Sequence, residues 1–195
     1  MGPTDRRASL DPHPEARGPA LPRDLCQALG IDPNGARGRA KYEQPGIGPS
    51  FRRLAELLDT YAADPLAELD RLVATVAFTV AIGNADANGK NLALLHPDAE
   101  SVTLAPLYDT VPTALWPGLR REAAMAIGGQ PLLDDVSVED IVREALRWPH
   151  PADRTREVVR STLEGMLGAI EDGVIPEGSE VARLVAERSR RILGT

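Results

Sequence analysis

Three side chains with proton-accepting or magnesium-binding oxygens lie close together in the sequence. Asp86 and Asn91 are five residues apart in one polar stretch, and Asp109 follows after a short interval. A carboxylate beside a hydroxyl group can orient it and accept its proton, while a carboxylate and an amide are hard oxygen ligands for magnesium. These residue types suit phosphoryl transfer, in which a protein mainly positions the reactants and neutralises charge.

The interval from Asp86 to Asn91 equals that in the catalytic loop of protein kinases, where the Asp accepts a hydroxyl proton and the Asn binds magnesium. The interval by itself is a weak signal, because chance gives such a pair about 0.3 times in a chain of this composition. On spacing alone, Asp86 is more simply explained as a turn cap and Asn88 as an ordinary turn residue. The surrounding residues are needed to decide between these interpretations.

The full string is more specific than the spacing. It reads Gly83-Asn84-Ala85-Asp86-Ala87-Asn88-Gly89-Lys90-Asn91 and continues as Leu104-Ala105-Pro106-Leu107-Tyr108-Asp109. This pattern resembles the signature of the HipA family of toxin kinases, which are serine/threonine kinases of type II toxin–antitoxin modules. The resemblance implies that Asp86 is the catalytic base and that Asn91 and Asp109 bind magnesium. It further implies that the nucleotide is contacted by Asn88, Gly89, Lys90, Asn91, Tyr108 and Asp109.

Other segments extend the resemblance over roughly residues 20–170. Asp24–Gly30 is similar to the family's Glu-Asp-x-Cys-Gln-Ala-Leu-Gly segment, and Lys41-Tyr42-Glu43 to its Lys-Tyr run. Gly46–Phe51 resembles a Gly-Gly-Pro-Gly-Phe run, and Ala124–Gly129 resembles a later family segment. The likeness therefore extends well beyond the candidate site.

The chain also departs from the family pattern. Asn88 stands where the family usually has His, and Pro19–Arg23 replaces its Arg-x-His-Gln-Glu run. No counterpart is visible for the family's amino-terminal half, which carries a glycine-rich phosphate loop, a nucleotide lysine and an adenine hinge. The only lysines are Lys41 and Lys90, and neither lies in an apolar strand. We therefore expect a truncated protein that has the lower lobe of the kinase without the upper lobe.

Length and composition agree with one such lobe. A chain of 195 residues with 43% hydrophobic residues is long enough for a single domain with its own core. We expect a mainly α fold, namely a kinase-like C-terminal lobe of HipA type with a short β-hairpin that carries the metal-binding Asp. Residues 1–20 are rich in Pro, Asp and Arg and are expected to form a disordered or divergent tail, and residues 21–195 the lobe.

The pattern of apolar residues and of Gly and Pro predicts where the elements lie. Residues 65–82 are predicted to form a helix, and residues 72–82 within it are apolar on all sides, which is typical of a central buried helix. Gly83 would let the chain turn into the catalytic loop. Residues 31–50 contain many Gly and Pro and are predicted to form a loop. The predicted helices are 21–30, 50–63, 65–82, 137–148, 153–171 and 177–193, and the hairpin strands are 91–95 and 102–105.

Several single residues carry weaker expectations. Cys26 lies in an apolar stretch and is expected to be a small buried side chain rather than a nucleophile. His13, His96 and His150 each lie beside a proline in a predicted loop, so we expect them to be solvated. The pair Arg120-Arg121 is more often surface than substrate clamp, although its position after the metal loop leaves a role in substrate binding open.

Charge and targeting signals limit the partners. The net charge of −7 argues against a sequence-independent grip on nucleic acid, which needs a positive surface. No signal peptide and no apolar run of about 18 residues is visible, so we expect a cytoplasmic protein without a membrane partner. The family resemblance implies ATP and Mg²⁺ as cofactors and a HipB-like helix-turn-helix antitoxin as partner. It also implies a protein substrate of the translation machinery, such as an aminoacyl-tRNA synthetase.

Two classes of function stay open at this point. The first is an ATP- and Mg²⁺-dependent serine/threonine kinase whose upper lobe is cut away or supplied by a separate N-terminal kinase-lobe chain. The second is a non-catalytic remnant or antitoxin-binding module that keeps the lower-lobe fold. A gene that encodes a glycine loop and a lysine strand directly upstream would favour the first class.

Overall fold

The computed structural model describes residues 22–44, 48–98 and 100–194, so the predicted tail at residues 1–20 lies outside the described residues. The fold is mainly α with small antiparallel sheets, as expected. The helices are α1 Leu25–Ala28, α2 Gly35–Gly38, α3 Phe51–Tyr61, α4 Pro65–Ala81, α5 Val138–Ala145, α6 Ala152–Glu171 and α7 Glu180–Leu193. The strands are β1 Arg23–Asp24, β2 Ala93–Leu95, β3 Thr103–Leu104, β4 Glu122–Ile127 and β5 Gln130–Leu132.

Helix α4 is the central element of the core, as its apolar sequence predicts. It begins with Pro65 in its first turn and with the Asp64 side chain, which accepts a hydrogen bond from the Ala67 N–H. The helix packs against α3, α5, α6 and α7. Phe78 is only partly buried, because it faces a shallow apolar groove beside α6. The buried residues of α4 are Leu69, Leu72, Val73, Thr75, Val76, Ala77, Thr79, Val80 and Ala81.

The predicted hairpin at 91–95 and 102–105 is present as β2 and β3, which pair antiparallel with Leu94 opposite Leu104. A third strand, β1, joins the other edge of β2, with Arg23 opposite Leu94. The predicted helix at 21–30 is therefore shorter than expected. The Asp24 side chain accepts a hydrogen bond from the Gln27 N–H, which starts α1 at Leu25.

The later part of the chain contains a second hairpin that the sequence pattern did not predict. Strand β4 pairs antiparallel with β5, and Ile127 lies opposite Gln130 across a tight glycine turn. The segment is rich in Ala and poor in β-branched residues, so its strand propensity is low. Helices α5, α6 and α7 then close the lobe near the predicted positions. Within the described residues, none of the helices combines the length and apolar composition that crossing a membrane requires.

His150 is buried, so the expectation of a solvated loop histidine is wrong. Its Nε2 lies 2.9 Å from Asp70 Oδ1 of α4, and its Nδ1 lies 2.8 Å from Thr155 Oγ1 of α6. The Arg154 guanidinium also donates to the Asp70 carboxylate. The cluster ties α4 to α6, and its partners are too distant in sequence for local pattern to reveal them.

The core position of α4 gives a stability prediction. Leu72 is fully buried, so Leu72→Ala should lower the free energy of unfolding by about 2–5 kcal/mol through lost burial and a residual cavity. Leu66 lies on the same helix and is 39% exposed, so Leu66→Ala should change the free energy of unfolding by less than about 0.5 kcal/mol. Urea unfolding followed by circular dichroism measures both, and equal losses would contradict the central position of α4.

The Asp70 cluster gives a pH prediction. The hydrogen bond from Arg154, and then that from His150, holds the pKa of the Asp70 carboxyl below its ordinary value of 3.8. A lowered pKa in the folded state stabilises the protein above the ordinary value, and this stabilisation is lost as the pH falls through the folded pKa. Asp70→Asn should thus cost about 1 kcal/mol at pH 7. The difference from the unmodified chain should shrink below pH 3.8 in urea unfolding series, and a constant difference would contradict this assignment.

Candidate active site

The polar loop of residues 83–91 leaves the core directly from the end of α4. Gly83 adopts a left-handed conformation with φ 69°, and a Cβ atom there would lie 2.5 Å from the Ala114 Cβ. The Thr113 hydroxyl donates to the Gly83 carbonyl over 3.0 Å and accepts from the Ala85 N–H over 2.8 Å. Glycine is therefore needed at position 83, because its backbone is left-handed and because Ala114 leaves no room for a Cβ atom. Thr113 fixes the turn that begins the loop.

Arg188 supports the same turn from beneath. Its side chain is almost fully buried, with Nε donating to the Val80 carbonyl over 2.7 Å and Nη2 to the Leu133 carbonyl over 2.9 Å. Asp134 forms the ion pair that compensates the buried charge. The last helix therefore helps to set where α4 ends and the loop begins.

Asp86 is held by two side-chain donors. Its Oδ1 accepts a hydrogen bond from the Tyr42 hydroxyl at 3.1 Å and from the Asn88 amide nitrogen at 3.3 Å. The Asp86 N–H donates to Asn84 Oδ1 over 3.1 Å. The described residues supply no hydrogen bond to its Oδ2, so one carboxylate oxygen is fixed while the other is left for a further partner.

Asn91 and Asp109 meet across the site. The buried Asn91 amide nitrogen donates to Asp109 Oδ2 over 2.8 Å and to the Asp109 carbonyl over 3.2 Å. Asp109 lies beyond the end of β3, is exposed, and has a left-handed backbone with φ 50°, which Asp tolerates better than most residues. An amide that donates through its nitrogen keeps its oxygen available as a metal ligand.

The backbone of Gly89 anchors the middle of the loop. Its N–H donates to the Lys41 carbonyl over 2.9 Å, and its carbonyl accepts from the Cys26 N–H over 3.3 Å. Cys26 itself is buried, as expected. The loop is thus held by two segments that precede α3 in the chain.

Lys90 and Tyr108 lie on the outer side of this loop. The Lys90 residue is exposed, and its carbonyl accepts a hydrogen bond from the Tyr108 hydroxyl. Burial, together with the nearby Asp24 and Asp109 carboxylates, raises the pKa of Tyr108. Both residues therefore border the Asn91–Asp109 pair, and the Tyr108 hydroxyl stays protonated at neutral pH.

The donor set at this pair fits magnesium better than a softer metal. Within residues 22–44, 48–98 and 100–194, no three His, Cys, Asp or Glu side chains are grouped so that they could hold a metal ion. Magnesium is commonly bound by one or two carboxylates with phosphate oxygens and water completing an octahedral shell. Asn91 and Asp109 could supply two ligands of such a shell, and a phosphate-bearing ligand would be needed to complete it.

Tyr42 is a site residue that sequence reasoning did not single out. The segment around it is attached to β4, because the Glu43 N–H donates to the Ala124 carbonyl over 2.9 Å and Glu43 Oε2 accepts from the Ala126 N–H over 2.7 Å. Burial raises the pKa of the Glu43 carboxyl, and the Ala126 N–H opposes the rise. The Lys-Tyr-Glu run was visible in the sequence, but its contact with Asp86 was not.

A second feature missed at the sequence level is an apolar cavity of about 440 Å³ beside Tyr108. Its walls come from residues at β1 and α1, from β2 and from the segment that follows β3. The lining residues are Pro22, Asp24, Gln27, Ala93, Leu95, Ala105, Pro106 and Tyr108. The cavity therefore shares Tyr108 with the candidate site.

The fold and the loop arrangement together define a kinase-like C-terminal lobe. Residues 9–171 match the family model of the HipA-like C-terminal domain, and the chain belongs to that family. The family resemblance drawn from the loop motif is thereby confirmed. The roles of the individual site residues stay predictions.

Two known proteins show how the chain relates to longer ones. It is 35% identical over 153 residues to "Putative kinase Y4mE" of Sinorhizobium fredii, an alignment that covers 76% of this chain and 35% of that protein. Its fold matches HipA in a complex of HipA, HipB and operator DNA from Shewanella oneidensis, with a TM-score of 0.75 and 23% identity. That match covers 89% of this chain and 44% of that one, so the chain spans less than half the length of both proteins.

The packing around Gly89 gives a prediction for the loop. A Cβ atom at Gly89 would lie 2.5 Å from Pro49 Cβ and 3.0 Å from Cys26 Sγ, so Gly89→Ala should cost about 1–3 kcal/mol through overpacking. Gly118 has no atom within 4 Å of the same position, so Gly118→Ala should change the melting temperature little. Thermal unfolding measures both, and a neutral Gly89→Ala would contradict the close packing of the loop.

Proposed function

We propose that this chain is the catalytic-loop lobe of a HipA-type serine/threonine protein kinase, which transfers a phosphoryl group from MgATP to a protein hydroxyl. The observation that carries the proposal is the contact between Asn91 and Asp109, 2.8 Å apart, beside a loop that holds Asp86. Membership of the HipA-like family and the kinase name of the Sinorhizobium fredii relative support it.

Asp86 is the proposed general base. Tyr42 and Asn88 both donate to Oδ1, which fixes this oxygen and leaves Oδ2 as the proposed contact to the acceptor hydroxyl. A positioned carboxylate can orient the acceptor hydroxyl and take its proton as the phosphoryl group is transferred. Positioning of this kind supplies much of the rate in phosphoryl transfer.

Asn91 and Asp109 are the proposed magnesium ligands, through the amide oxygen and the carboxylate. Magnesium would neutralise phosphate charge between them. The exposed Lys90 lies in the same loop and is proposed to contact phosphate oxygens, while the close packing of Gly89 against Pro49 and Cys26 holds the loop in position. The apolar cavity beside Tyr108 is the proposed binding site for one face of the nucleotide base.

The proposed assembly contains further parts. An upper lobe that covers the phosphates is supplied either by a longer polypeptide or by a separate chain, since these 195 residues contain no glycine loop with a strand lysine. A HipB-like antitoxin is the proposed protein partner, because the structural relative is a complex with HipB. A protein of the translation machinery is the proposed substrate, on the family resemblance alone.

A second candidate function is an antitoxin-binding module without catalysis. The structural relative is a complex with HipB, and the match to its HipA chain covers 89% of this chain, which favours it. The two candidates differ in one respect that can be measured. A kinase lobe regains transfer when an upper lobe is added, whereas a binding module does not.

The kinase proposal predicts that these 195 residues alone bind MgATP weakly and do not autophosphorylate. Magnesium keeps its water and binds few carboxylates weakly unless positioned phosphates complete its shell. Calorimetric titration with MgATP and radiolabel transfer assays measure binding and activity. Adding the upper lobe of a HipA-type relative should restore transfer.

The restored activity provides the controls. Asp86→Ala and Asp109→Ala should each abolish transfer, while Asp59→Ala, at an exposed position on α3, should leave it unchanged. Micromolar binding and transfer by the 195 residues alone would contradict the need for an upper lobe. Transfer that survives Asp86→Ala would contradict the role of the base.

A further inference from the structure

A polar cavity of about 420 Å³ lies beside the proposed base and is separate from the nucleotide side of the loop. It begins at Tyr42, whose hydroxyl donates to Asp86 Oδ1 over 3.1 Å. We call it the basic cavity. Its lining residues are Ala36, Arg39, Tyr42, Glu43, Gln44, Arg120, Ala123 and Ala124.

The two segments that border the basic cavity are unusual for an acidic chain. Residues 35–41 contain Arg37, Arg39 and Lys41, residues 117–121 contain Arg120 and Arg121, and neither segment contains an acidic residue. The whole chain has a net charge of −7, so these five cations form a local reversal of charge. Such a reversal favours an anionic partner at this position.

The carboxylates next to these cations neutralise their charge only in part. Glu43, the one acidic residue among those that line the cavity, has its Oε2 engaged by the Ala126 N–H. Glu122 lies 4.0 Å from the Arg120 guanidinium, at the limit of an ion pair, and its side chain is well exposed. The Arg120 side chain is itself 45% exposed, so its charge can reach a ligand.

Arg120 also packs against Tyr42, the residue that donates a hydrogen bond to Asp86. Its guanidinium carbon lies 5.1 Å from the centroid of the Tyr42 ring, and Lys41 Nζ lies 5.1 Å from the same centroid. A cation within about 6 Å of a ring centroid is attracted to the ring face. An anion bound by Arg120 would therefore lie next to the Tyr42–Asp86 pair.

The segment that supplies Ala36 and Arg39 to the basic cavity is strained. Ala36 and Arg37 both have left-handed backbones, with φ 50° and 59°. Consecutive left-handed residues other than glycine are costly and persist where the surrounding structure imposes them, often at ligand sites. Arg39 lines the cavity two residues after this strained pair.

We infer that the basic cavity is a docking subsite for the acceptor protein, and that it takes an acidic side chain close in sequence to the phosphorylated hydroxyl. This inference rests on the proposed function and names a substrate feature for the same site. An acidic residue bound by Arg39 and Arg120 would hold the acceptor segment beside Asp86. A carboxylate fits the cavity because both arginines can donate paired hydrogen bonds to it.

The test measures the binding of labelled peptides to the 195-residue chain by fluorescence anisotropy. Three peptides share one serine and differ only in the flanking residues, which are Glu, Gln or Lys. The Glu peptide should bind about 10-fold more tightly than the Gln peptide, and the Lys peptide should bind most weakly. Arg39→Gln and Arg120→Gln should each weaken the Glu peptide about 3- to 10-fold, in line with partly exposed charge pairs.

Matched controls separate docking from general charge and from catalysis. Arg183→Gln removes the same charge at an exposed position on α7 and should not change binding. Asp109→Ala should keep peptide binding even though the proposed function predicts that it abolishes transfer. Peptide binding that persists while MgATP transfer fails in every assembly would therefore reject the kinase proposal without rejecting the docking subsite.

Three outcomes would overturn the docking inference. The Gln peptide could bind as tightly as the Glu peptide, or Arg39→Gln and Arg120→Gln could leave Glu-peptide binding unchanged. A single-stranded oligonucleotide could bind more tightly than the Glu peptide and lose affinity in the same two variants, which would assign the cations to nucleic acid. Circular dichroism of each variant confirms that a loss of binding is not a loss of fold.

Discussion

The packing of α4 against the other long helices fixes the point from which the polar loop leaves the core. Its apolar side chains are covered by α3, α5, α6 and α7, so the end of the helix cannot shift without opening the core. Arg188 then satisfies the Val80 carbonyl, and Thr113 satisfies the Gly83 carbonyl at the turn. The position of Asp86 is therefore a consequence of helix packing and of a few buried polar contacts.

Segments distant in sequence complete the loop. The Lys41 carbonyl and the Cys26 N–H hold Gly89, and the Ala124 N–H donates to the Ala85 carbonyl. The Asn91–Asp109 contact joins the end of the loop to the segment after β3. Because backbone groups from separate elements hold the loop, its geometry is set before any ligand binds, which is what a positioning-dependent reaction needs.

The sequence predicted the elements whose signals are local. Residues 72–82 carry an unbroken run without charged side chains, and the strands at 93–95 and 103–104 have apolar residues on either side of a turn. The family assignment was also available, because it rests on a contiguous string around Asp86. Strand β1 was not predictable in the same way, since two residues next to a capped helix give no strand pattern.

Contacts between distant residues were the part that sequence could not supply. His150 lies beside a proline and looked solvated, yet its partners Asp70 and Thr155 come from two different helices. Tyr42 lay in a visible motif, but only the fold brings it to Asp86. In both cases the partner of a polar side chain is supplied by tertiary structure, and such pairs leave no trace in local periodicity.

The most direct test of the account is where a divalent metal binds. Crystals of the 195-residue chain assembled with the upper lobe of a HipA-type relative, soaked with manganese and a non-hydrolysable ATP analogue, would reveal the metal by its anomalous scattering. The account predicts a metal peak bound by the Asn91 amide oxygen and the Asp109 carboxylate, with phosphate oxygens in its shell and Asp86 across the cleft. A metal and nucleotide bound elsewhere, with the Asn91–Asp109 pair unchanged, would contradict it.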